Sequence, residues 1–219
     1  MARKGVILAA GLGTRLHPMT LAVNKQLIPV YDKPMIYYAI WVLIKAGVRD
    51  IMLVTSEVDK NSFERLLGDG SRFGIHMHYT VQYVPNGLVD AFVQTEDFIA
   101  GDPCVLILGD NIFYGSGFPA MLSKASAQTD GATVFGANVP DPERFGVASF
   151  NEEGKVLTLE EKPAHPQSNC AVVGLYFFDR KVMQYAHELR RQIPAEKEVS
   201  ITDVNRVYME QGKLDLQVF

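Results

Sequence analysis

Short apolar runs and longer amphipathic stretches alternate along most of the 219-residue chain. Uninterrupted apolar runs are typical of strands buried on both faces, and apolar residues at i, i+3 and i+4 are typical of helices. Glycines punctuate the ends of several of these segments. The pattern predicts strands at 5–10, 50–56, 76–82, 104–111 and 132–139, and helices at 35–47, 62–70, 88–101 and 118–131.

The second part of the chain, after about residue 145, is richer in strands. Residues 145–163 predict a hairpin of two strands around Glu153 and Gly154. A strand at 171–179, helices at 180–192 and 201–212, and a strand at 214–219 follow. No linker or charge block interrupts the chain, so we expect one domain over 1–219, with a core at about 1–145 and an elaboration at about 146–219. Strands that alternate with helices predict an α/β fold with a mainly parallel sheet.

Composition and charge exclude several classes of protein. The chain is 47% hydrophobic and 21% charged, as in ordinary globular proteins. A net charge of -4 argues against a nucleic-acid-binding surface. The first apolar run is too short for a signal sequence or a membrane span, so we expect a cytoplasmic protein without a membrane partner. Cys104 and Cys170 are expected to be buried, reduced thiols.

A glycine-rich loop with two cations follows the first predicted strand. Residues 11–15 are GLGTR, and Lys25 follows ten positions after Arg15. A dinucleotide fingerprint would need a glycine where Leu16 stands, and a P-loop would need Lys-Ser/Thr after its second glycine. Backbone N–H groups of such a turn, a following helix start and two cations favour a polyphosphate ligand. A tight turn with two solvated surface cations is the alternative.

Eight motifs, in order, resemble the sugar-nucleotidylyltransferases. They are LAAGLGTRL at 8–16, NKQLIPVYDKPMIYY at 24–38, LLGDGSRFG at 66–74, LGDNIFYG at 108–115, DPERFGV at 141–147, LEEKP at 159–163, SNCAVVGLYFFD at 168–179 and ITDVNR at 201–206. Each motif is modest alone, but their ordered combination is specific and spans nearly the whole chain. The resemblance implies a three-layer αβα, Rossmann-like nucleotide-diphospho-sugar transferase fold with a mixed, mainly parallel sheet.

The resemblance also implies an Mg²⁺-dependent transferase that joins a hexose 1-phosphate to a nucleoside triphosphate and releases pyrophosphate. It favours glucose 1-phosphate and dTTP as substrates and dTDP-glucose as product, with UTP as the alternative triphosphate. Such products are precursors of deoxysugars and cell-surface polysaccharides. Because the sugar phosphate attacks the α-phosphorus in line, the protein must chiefly position two anions and neutralise their charge. Family members often form homo-oligomers, which the resemblance makes a candidate state here.

The resemblance assigns catalytic roles to Arg15, Lys25, Asp110 and Lys162, with Asp110 as the Mg²⁺ ligand. Arg15 and Lys25 would hold the triphosphate, and Lys162 the sugar phosphate. The expected nucleotide-binding residues are Leu8, Ala10, Gly11, Gly13, Thr14, Arg15, Lys25, Gln26, Gln82, Pro85, Gly87 and Asp110. The expected sugar-phosphate-binding residues are Leu88, Leu108, Phe145, Gly146, Glu161, Lys162, Val172 and Tyr176. Gln82 and Gly87 would read the base, because an amide offers both a donor and an acceptor.

The match departs from the family in three places. The second metal carboxylate of the family belongs to a Trp-x-Asp-x-Gly segment that these 219 residues do not contain. Glu196 stands near the expected sugar-phosphate arginine, where a carboxylate would repel the phosphate, and Phe145 replaces a common tyrosine. These departures leave open a catalytically impaired short variant, or a non-catalytic sugar-nucleotide-binding protein on the same scaffold.

Overall fold

A computed structural model describes residues 3–83, 87–194 and 196–219, which form a nine-stranded sheet covered by helices. The strands are β1 (Lys4–Ala9), β2 (Pro29–Val30), β3 (Lys33–Pro34), β4 (Asp50–Thr55), β5 (His76–Val81), β6 (Cys104–Leu108), β7 (Ala132–Asn138), β8 (Gly146–Phe150), β9 (Val156–Glu161), β10 (Cys170–Phe178) and β11 (Leu214–Val218). The helices are α1 (Ile36–Lys45), α2 (Lys60–Leu67), α3 (Leu88–Val93), α4 (Glu96–Ile99), α5 (Phe118–Ala127), α6 (Val182–Gln192) and α7 (Ile201–Glu210). Among the described strands, β2 and β3 lie outside the main sheet, as a separate two-stranded ribbon.

The main sheet has the strand order β11-β7-β10-β6-β1-β4-β5, and the β8–β9 pair branches from β10. The central strand β1 is parallel to β4 and β6, and β4 is parallel to β5. Because β10 runs antiparallel to β6 and β7, the sheet is mixed but mainly parallel, as predicted. The carboxyl ends of β1, β4, β5 and β6 therefore lie along one edge, where α/β sheets bind their ligands.

Alternate residues of the central strands supply two hydrophobic cores, one on each face of the sheet. Val6 and Leu106 belong to the core that includes residues of α3, α6 and α7. Ile7 and Ile107 belong to the core that includes residues of α1, α2 and α5. Successive side chains of a strand point to opposite faces, so a strand covered on both faces must be apolar throughout. The three-layer αβα arrangement is thereby confirmed.

The predicted hairpin forms between β8 and β9, and its first strand also pairs with the start of β10. The register of β10 against β7 shifts between Val172 and Tyr176. Gly174 lies within this irregularity, and a Cβ there would come 2.5 Å from Leu108 Cγ. The close approach of β10 to the end of β6 therefore requires a glycine at this position.

Two sequence expectations about helices are wrong. The single helix expected at 88–101 is divided into α3 and α4 at Thr95, whose buried hydroxyl donates to the Phe92 carbonyl at 2.6 Å. A threonine hydroxyl that bonds a nearby carbonyl competes with regular helical bonding. No α-helix follows the glycine loop directly; instead the described chain makes 3₁₀ turns at Thr14–Leu16, Met19–Leu21 and Lys25–Leu27.

No helix of the described residues is long and apolar enough to cross a membrane.

Candidate active site

The glycine loop leaves the carboxyl end of β1 and presents an open backbone. Gly13 has a φ of 62°, and the Thr20 hydroxyl donates to its carbonyl at 2.8 Å. A Cβ at Gly13 would lie 2.9 Å from Thr20 Cγ2, whereas a Cβ at Gly11 would meet no atom of the described residues within 4 Å. The conformation and packing of the loop thus require a glycine at position 13. Gly11 leaves open space beside the loop, where a bound ligand would fit.

Two adjoining clefts lie at the ligand-binding edge of the sheet. The first measures about 270 Å³ and is lined by Leu8, Ala10, Gly11, Leu12, Gln26, Gln82, Gly87, Leu88, Ala91, Leu108, Asp110 and Glu198. The second measures about 250 Å³ and is lined by Gly11, Gly13, Thr14, Arg15, Leu16, Lys25, Gln26 and Asp110. Because Gly11, Gln26 and Asp110 line both, the two clefts form one continuous groove. All predicted nucleotide-binding residues lie along it except Pro85, which falls outside the described residues.

An ion pair joins the two halves of this groove. Lys25 Nζ lies 2.7 Å from Asp110 Oδ2, and both side chains are roughly 30% exposed. Asn111 Nδ2 donates to Asp110 Oδ1 at 3.0 Å, and the Gly174 N–H donates to Asn111 Oδ1 at 3.1 Å. These bonds orient the Asp110 carboxylate from the β10 side. Arg15 is exposed and has no carboxylate partner among the described residues, so its charge is available to an anion.

The side chains of Gln26 and Gln82 both line the groove, but their amide groups differ in hydrogen bonding. Gln26 is 4% exposed, and its Oε1 is buried without a hydrogen-bond partner in the described structure. A buried acceptor without a partner costs about 1–3 kcal/mol, so this oxygen is suited to a donor or cation supplied by a ligand. Gln82 follows β5, and its Nε2 donates to the Gly87 carbonyl at 3.2 Å. That bond uses one N–H of the Gln82 amide.

The sugar-phosphate set is divided between the groove and the β8–β9 hairpin. Leu88 and Leu108 line the groove. Gly146 pairs with both Glu161 and Val172, and the Lys162 N–H donates to the Phe145 carbonyl at 2.9 Å. The structure therefore brings five of the predicted residues together at the hairpin, namely Phe145, Gly146, Glu161, Lys162 and Val172.

Glu161 and Lys162 lie at the end of β9, where the hairpin leaves its second strand. Thr202 Oγ1 donates to Glu161 Oε2 at 2.5 Å, and Lys162 Nζ lies 3.4 Å from Glu161 Oε1. Lys162 has a φ of 45° and a side chain that is 65% exposed. A left-handed conformation at a residue other than glycine costs on the order of 1–2 kcal/mol, and such strain concentrates at functional sites.

Tyr176 differs in location from the rest of its predicted set. It is 4% exposed and stacks on Phe178 within the core. Burial, and to a smaller extent the Glu161 carboxylate, raise the pKa of the Tyr176 hydroxyl. Tyr176 is therefore a core residue of β10 and not an exposed residue of the hairpin.

Sequence reasoning missed five residues of this region: Leu12, Leu16, Ala91, Glu198 and Thr202. The Glu198 carboxylate lies against Gly87 and lines the groove, whereas Glu196 is exposed and is not part of the lining. No local pattern distinguishes Glu198, because its position depends on how residues 196–200 pack near the start of α3. Thr202 could have been found from the ITDVNR motif that contains it.

Comparison with known proteins places this chain in the nucleotidyl transferase family, whose model matches residues 4–219. A glucose-1-phosphate thymidylyltransferase of Neisseria meningitidis is 54% identical over 98% of this chain and 74% of its own length. The enzyme of that name from Xanthomonas campestris is 51% identical over 98% of this chain and 72% of its own length. The chain therefore belongs to the nucleotidyl transferase family, and the resemblance drawn from the motifs is confirmed.

Solved structures support the same assignment of fold. A Bacillus anthracis chain provisionally named a glucose-1-phosphate thymidylyltransferase, in complex with sucrose, superposes with a TM-score of 0.91 at 40% identity. That match covers 100% of this chain and 87% of the other. A UDP-glucose pyrophosphorylase in complex with UDP-glucose superposes with a TM-score of 0.81 at 25% identity, over 100% of this chain and 91% of the other.

Proposed function

We propose that this protein transfers a deoxythymidylyl group from dTTP to glucose 1-phosphate, forming dTDP-glucose and pyrophosphate. The observation that carries the proposal is the continuous groove at the glycine loop, where Arg15 and the Lys25–Asp110 pair converge. The named thymidylyltransferases that share about half of the sequence support this choice of substrates.

The reaction requires one bond to form and one to break at the α-phosphorus. A phosphate oxygen of glucose 1-phosphate attacks that phosphorus, and the bond to the oxygen bridging the α- and β-phosphates breaks, which releases pyrophosphate. Arg15 and Lys25 hold the triphosphate and neutralise charge during the transfer. Positioning and charge stabilisation supply most of the catalysis in phosphoryl transfer, so these two cations are the expected centre of the site.

The remaining groups divide the recognition of the two substrates. Gln82 and Gly87 read the pyrimidine from the β5 side of the groove. At the hairpin, Lys162 holds the sugar phosphate and Glu161 accepts hydrogen bonds from sugar hydroxyls. Thr202 bonds Glu161 Oε2 and holds the carboxylate in one orientation, while Glu161 Oε1 lies 3.4 Å from Lys162 Nζ, so a sugar hydroxyl would share that oxygen with Lys162.

The chemistry of the groove fits a magnesium ion that arrives with the triphosphate. No cluster of three His, Cys, Asp or Glu side chains forms a metal cage among the residues 3–83, 87–194 and 196–219. Mg²⁺ commonly takes one or two protein carboxylates and otherwise waters and substrate phosphates, and Asp110 lines both parts of the groove. Asp110 would hold the ion, which would supply charge neutralisation to the phosphates.

The test is pyrophosphate release from dTTP and glucose 1-phosphate with and without Mg²⁺, with UTP and other hexose 1-phosphates as competing substrates. We expect turnover with dTTP and glucose 1-phosphate that chelation of the metal abolishes. Binding of dTDP-glucose without turnover would select a non-catalytic sugar-nucleotide-binding protein instead. Absence of both turnover and nucleotide binding would overturn the proposal.

The assignment of Asp110 has a matched control within the chain. Asp130 also pairs with a lysine, at 2.6 Å from Lys213, and neither residue lines the groove. We expect Asp110→Asn to remove the dependence of the rate on Mg²⁺ and Asp130→Asn to leave it unchanged. If Asp110→Asn retains the wild-type Mg²⁺ dependence, Asp110 is not the metal ligand.

A further inference from the structure

Asn24, the residue before Lys25, is buried and uses both ends of its side-chain amide. It is 7% exposed, and its Oδ1 accepts from the Gln26 N–H at 2.9 Å. Its Nδ2 donates to the Ala9 carbonyl at 3.2 Å and to Asp59 Oδ2 at 2.8 Å. One side chain thus connects the end of β1, the turn that carries Lys25, and the start of α2.

Asp59 lies behind Asn24, on the side away from the groove. Its Oδ2 also accepts from the Ser56 hydroxyl at 2.5 Å. Asp59 and Asn24 line a separate cavity of about 490 Å³, and neither lines the two clefts of the groove. Asn24 is therefore the residue through which Asp59 is hydrogen-bonded to the turn at the groove.

The turn that Asn24 caps is also held by the Lys25–Asp110 ion pair and by Leu27, which packs against a hydrophobic core. It is a single 3₁₀ turn over Lys25–Leu27, and Gln26 is its only buried residue. The same turn supplies Lys25 Nζ to Asp110, and its Gln26 lines the groove and has a buried Oε1 without a partner in the described structure. A misplacement of about 1 Å in a catalytic group can cost 100-fold in rate. The bonds of Asn24 help to fix the turn that carries Lys25, so we expect their loss to lower the rate.

We propose that Asp59 and Asn24 form a positioning pair that sets Lys25 and Gln26 for the triphosphate, an inference that rests on the proposed function. The Asp59 carboxylate fixes which way the Asn24 amide faces, because only an N–H can face a carboxylate. The Asn24 oxygen is then directed at the Gln26 N–H. The pair is a positioning device and touches no substrate itself.

Four variants test the pair: Asn24→Ala, Asn24→Asp, Asp59→Asn and the double exchange Asn24→Asp with Asp59→Asn. We expect Asn24→Ala to lower kcat/KM for dTTP by about 10- to 100-fold while KM for glucose 1-phosphate changes less than about 2-fold. Asn24→Asp should be at least as impaired, because it sets two carboxylates against each other.

The double exchange supplies the decisive comparison. The amide introduced at position 59 donates to the carboxylate introduced at position 24, so the contact is restored with reversed polarity and unchanged net charge. We expect it to recover about 10-fold of the activity that Asn24→Asp loses; the lost donor to the Ala9 carbonyl prevents full recovery. Recovery in the double exchange would show that the contact between positions 24 and 59, and not either residue alone, carries the effect.

Asp69→Asn is the matched control, because Asp69 accepts from the Ser71 N–H in the loop after α2 and lies away from the groove. It should retain wild-type kinetics. Wild-type kinetics for Asn24→Ala, or a double exchange no better than Asn24→Asp, would overturn the pair. Calorimetric titration with dTTP is a separate measurement: if the wild type has no turnover, the proposed function fails, while the order of dTTP affinities still tests the positioning. If Asn24→Ala does not fold, the exchange series alone decides.

Discussion

Alanine substitutions at Gly11 and Gly13 separate what the glycine loop needs for folding from what it needs for its ligand. Gly13 has a left-handed φ of 62°, and a Cβ there would lie 2.9 Å from Thr20 Cγ2 and 3.3 Å from Lys25 Cβ. Gly11 has no such φ, and in the part of the chain that the structure describes a Cβ there would meet no atom within 4 Å. The same methyl group therefore tests packing at one position and open space at the other.

The two substitutions should affect the free energy of unfolding differently. Alanine in a left-handed conformation costs about 1–2 kcal/mol, and the contact with Thr20 adds up to about 1 kcal/mol. Gly13→Ala should therefore lower the free energy of unfolding by about 1–3 kcal/mol. Each kcal/mol lost should lower Tm by about 2–4 °C. Gly11→Ala should leave it unchanged or raise it by about 0.4–1 kcal/mol, because alanine restricts the unfolded chain.

Urea unfolding and calorimetric titration with dTTP measure the two effects. For Gly11→Ala we expect a wild-type or higher urea midpoint together with dTTP affinity lowered about 10-fold or more, since the methyl group occupies the groove. Gly115→Ala, whose Cβ also meets no described atom within 4 Å, is the control for a harmless glycine substitution. Wild-type dTTP affinity in Gly11→Ala, or a loss of stability equal to that of Gly13→Ala, would refute the reasoning.

Three further substitutions test the supporting structure. Gly174→Ala places a Cβ 2.5 Å from Leu108 Cγ and should lower the free energy of unfolding by about 1–3 kcal/mol, measured by urea; an unchanged midpoint would contradict the close approach. Tyr208→Phe removes the hydroxyl that donates to Asp179 Oδ1 at 2.7 Å and should cost about 1.5–3 kcal/mol at constant m-value; a loss below about 0.5 kcal/mol would argue against that bond. Burial tends to raise the pKa of Asp50, but hydrogen bonds from Lys4 and His78 outweigh it and lower that pKa in the folded state. A lowered carboxylate pKa stabilises the fold above the unfolded value near 3.8, and this contribution is lost as the pH falls below it, so Asp50→Asn should flatten the acid limb of a plot of stability against pH.

The fold could be predicted from the chain because its main signals are local. β6 is apolar at every position, and β1 alternates its side chains between two covered faces, so both are recognisable as central strands of a layered sheet. The division between α3 and α4 was missed because a threonine hydroxyl that bonds its own backbone leaves the helical pattern of apolar residues unchanged. The β2–β3 ribbon was missed because its strands are two residues each, too short to show a period.

The candidate site was predicted unevenly for a related reason. The glycine loop, Lys25 and Asp110 belong to motifs with recognisable spacing, and the fold brings them into one groove. Three contacts join elements that are separate in sequence. They are the contact of Glu198 with Gly87, the hydrogen bond from the Thr202 hydroxyl to Glu161, and the hydrogen bond between Asn24 and Asp59. Each depends on how helices and loops pack around the sheet edge, which no neighbouring residues encode.

The sequence by itself determined the layered α/β class, the family and the loop that a polyphosphate would meet. Periodicity and motif order are properties of neighbouring residues, and they persist in the chain before it folds. Only the tertiary structure decided that Lys25 pairs with Asp110, 85 positions away, and that Gln26 keeps a buried oxygen without a partner in the described structure. Those facts depend on β1 and β6 lying side by side with their carboxyl ends at the same edge, which brings distant side chains within bonding distance.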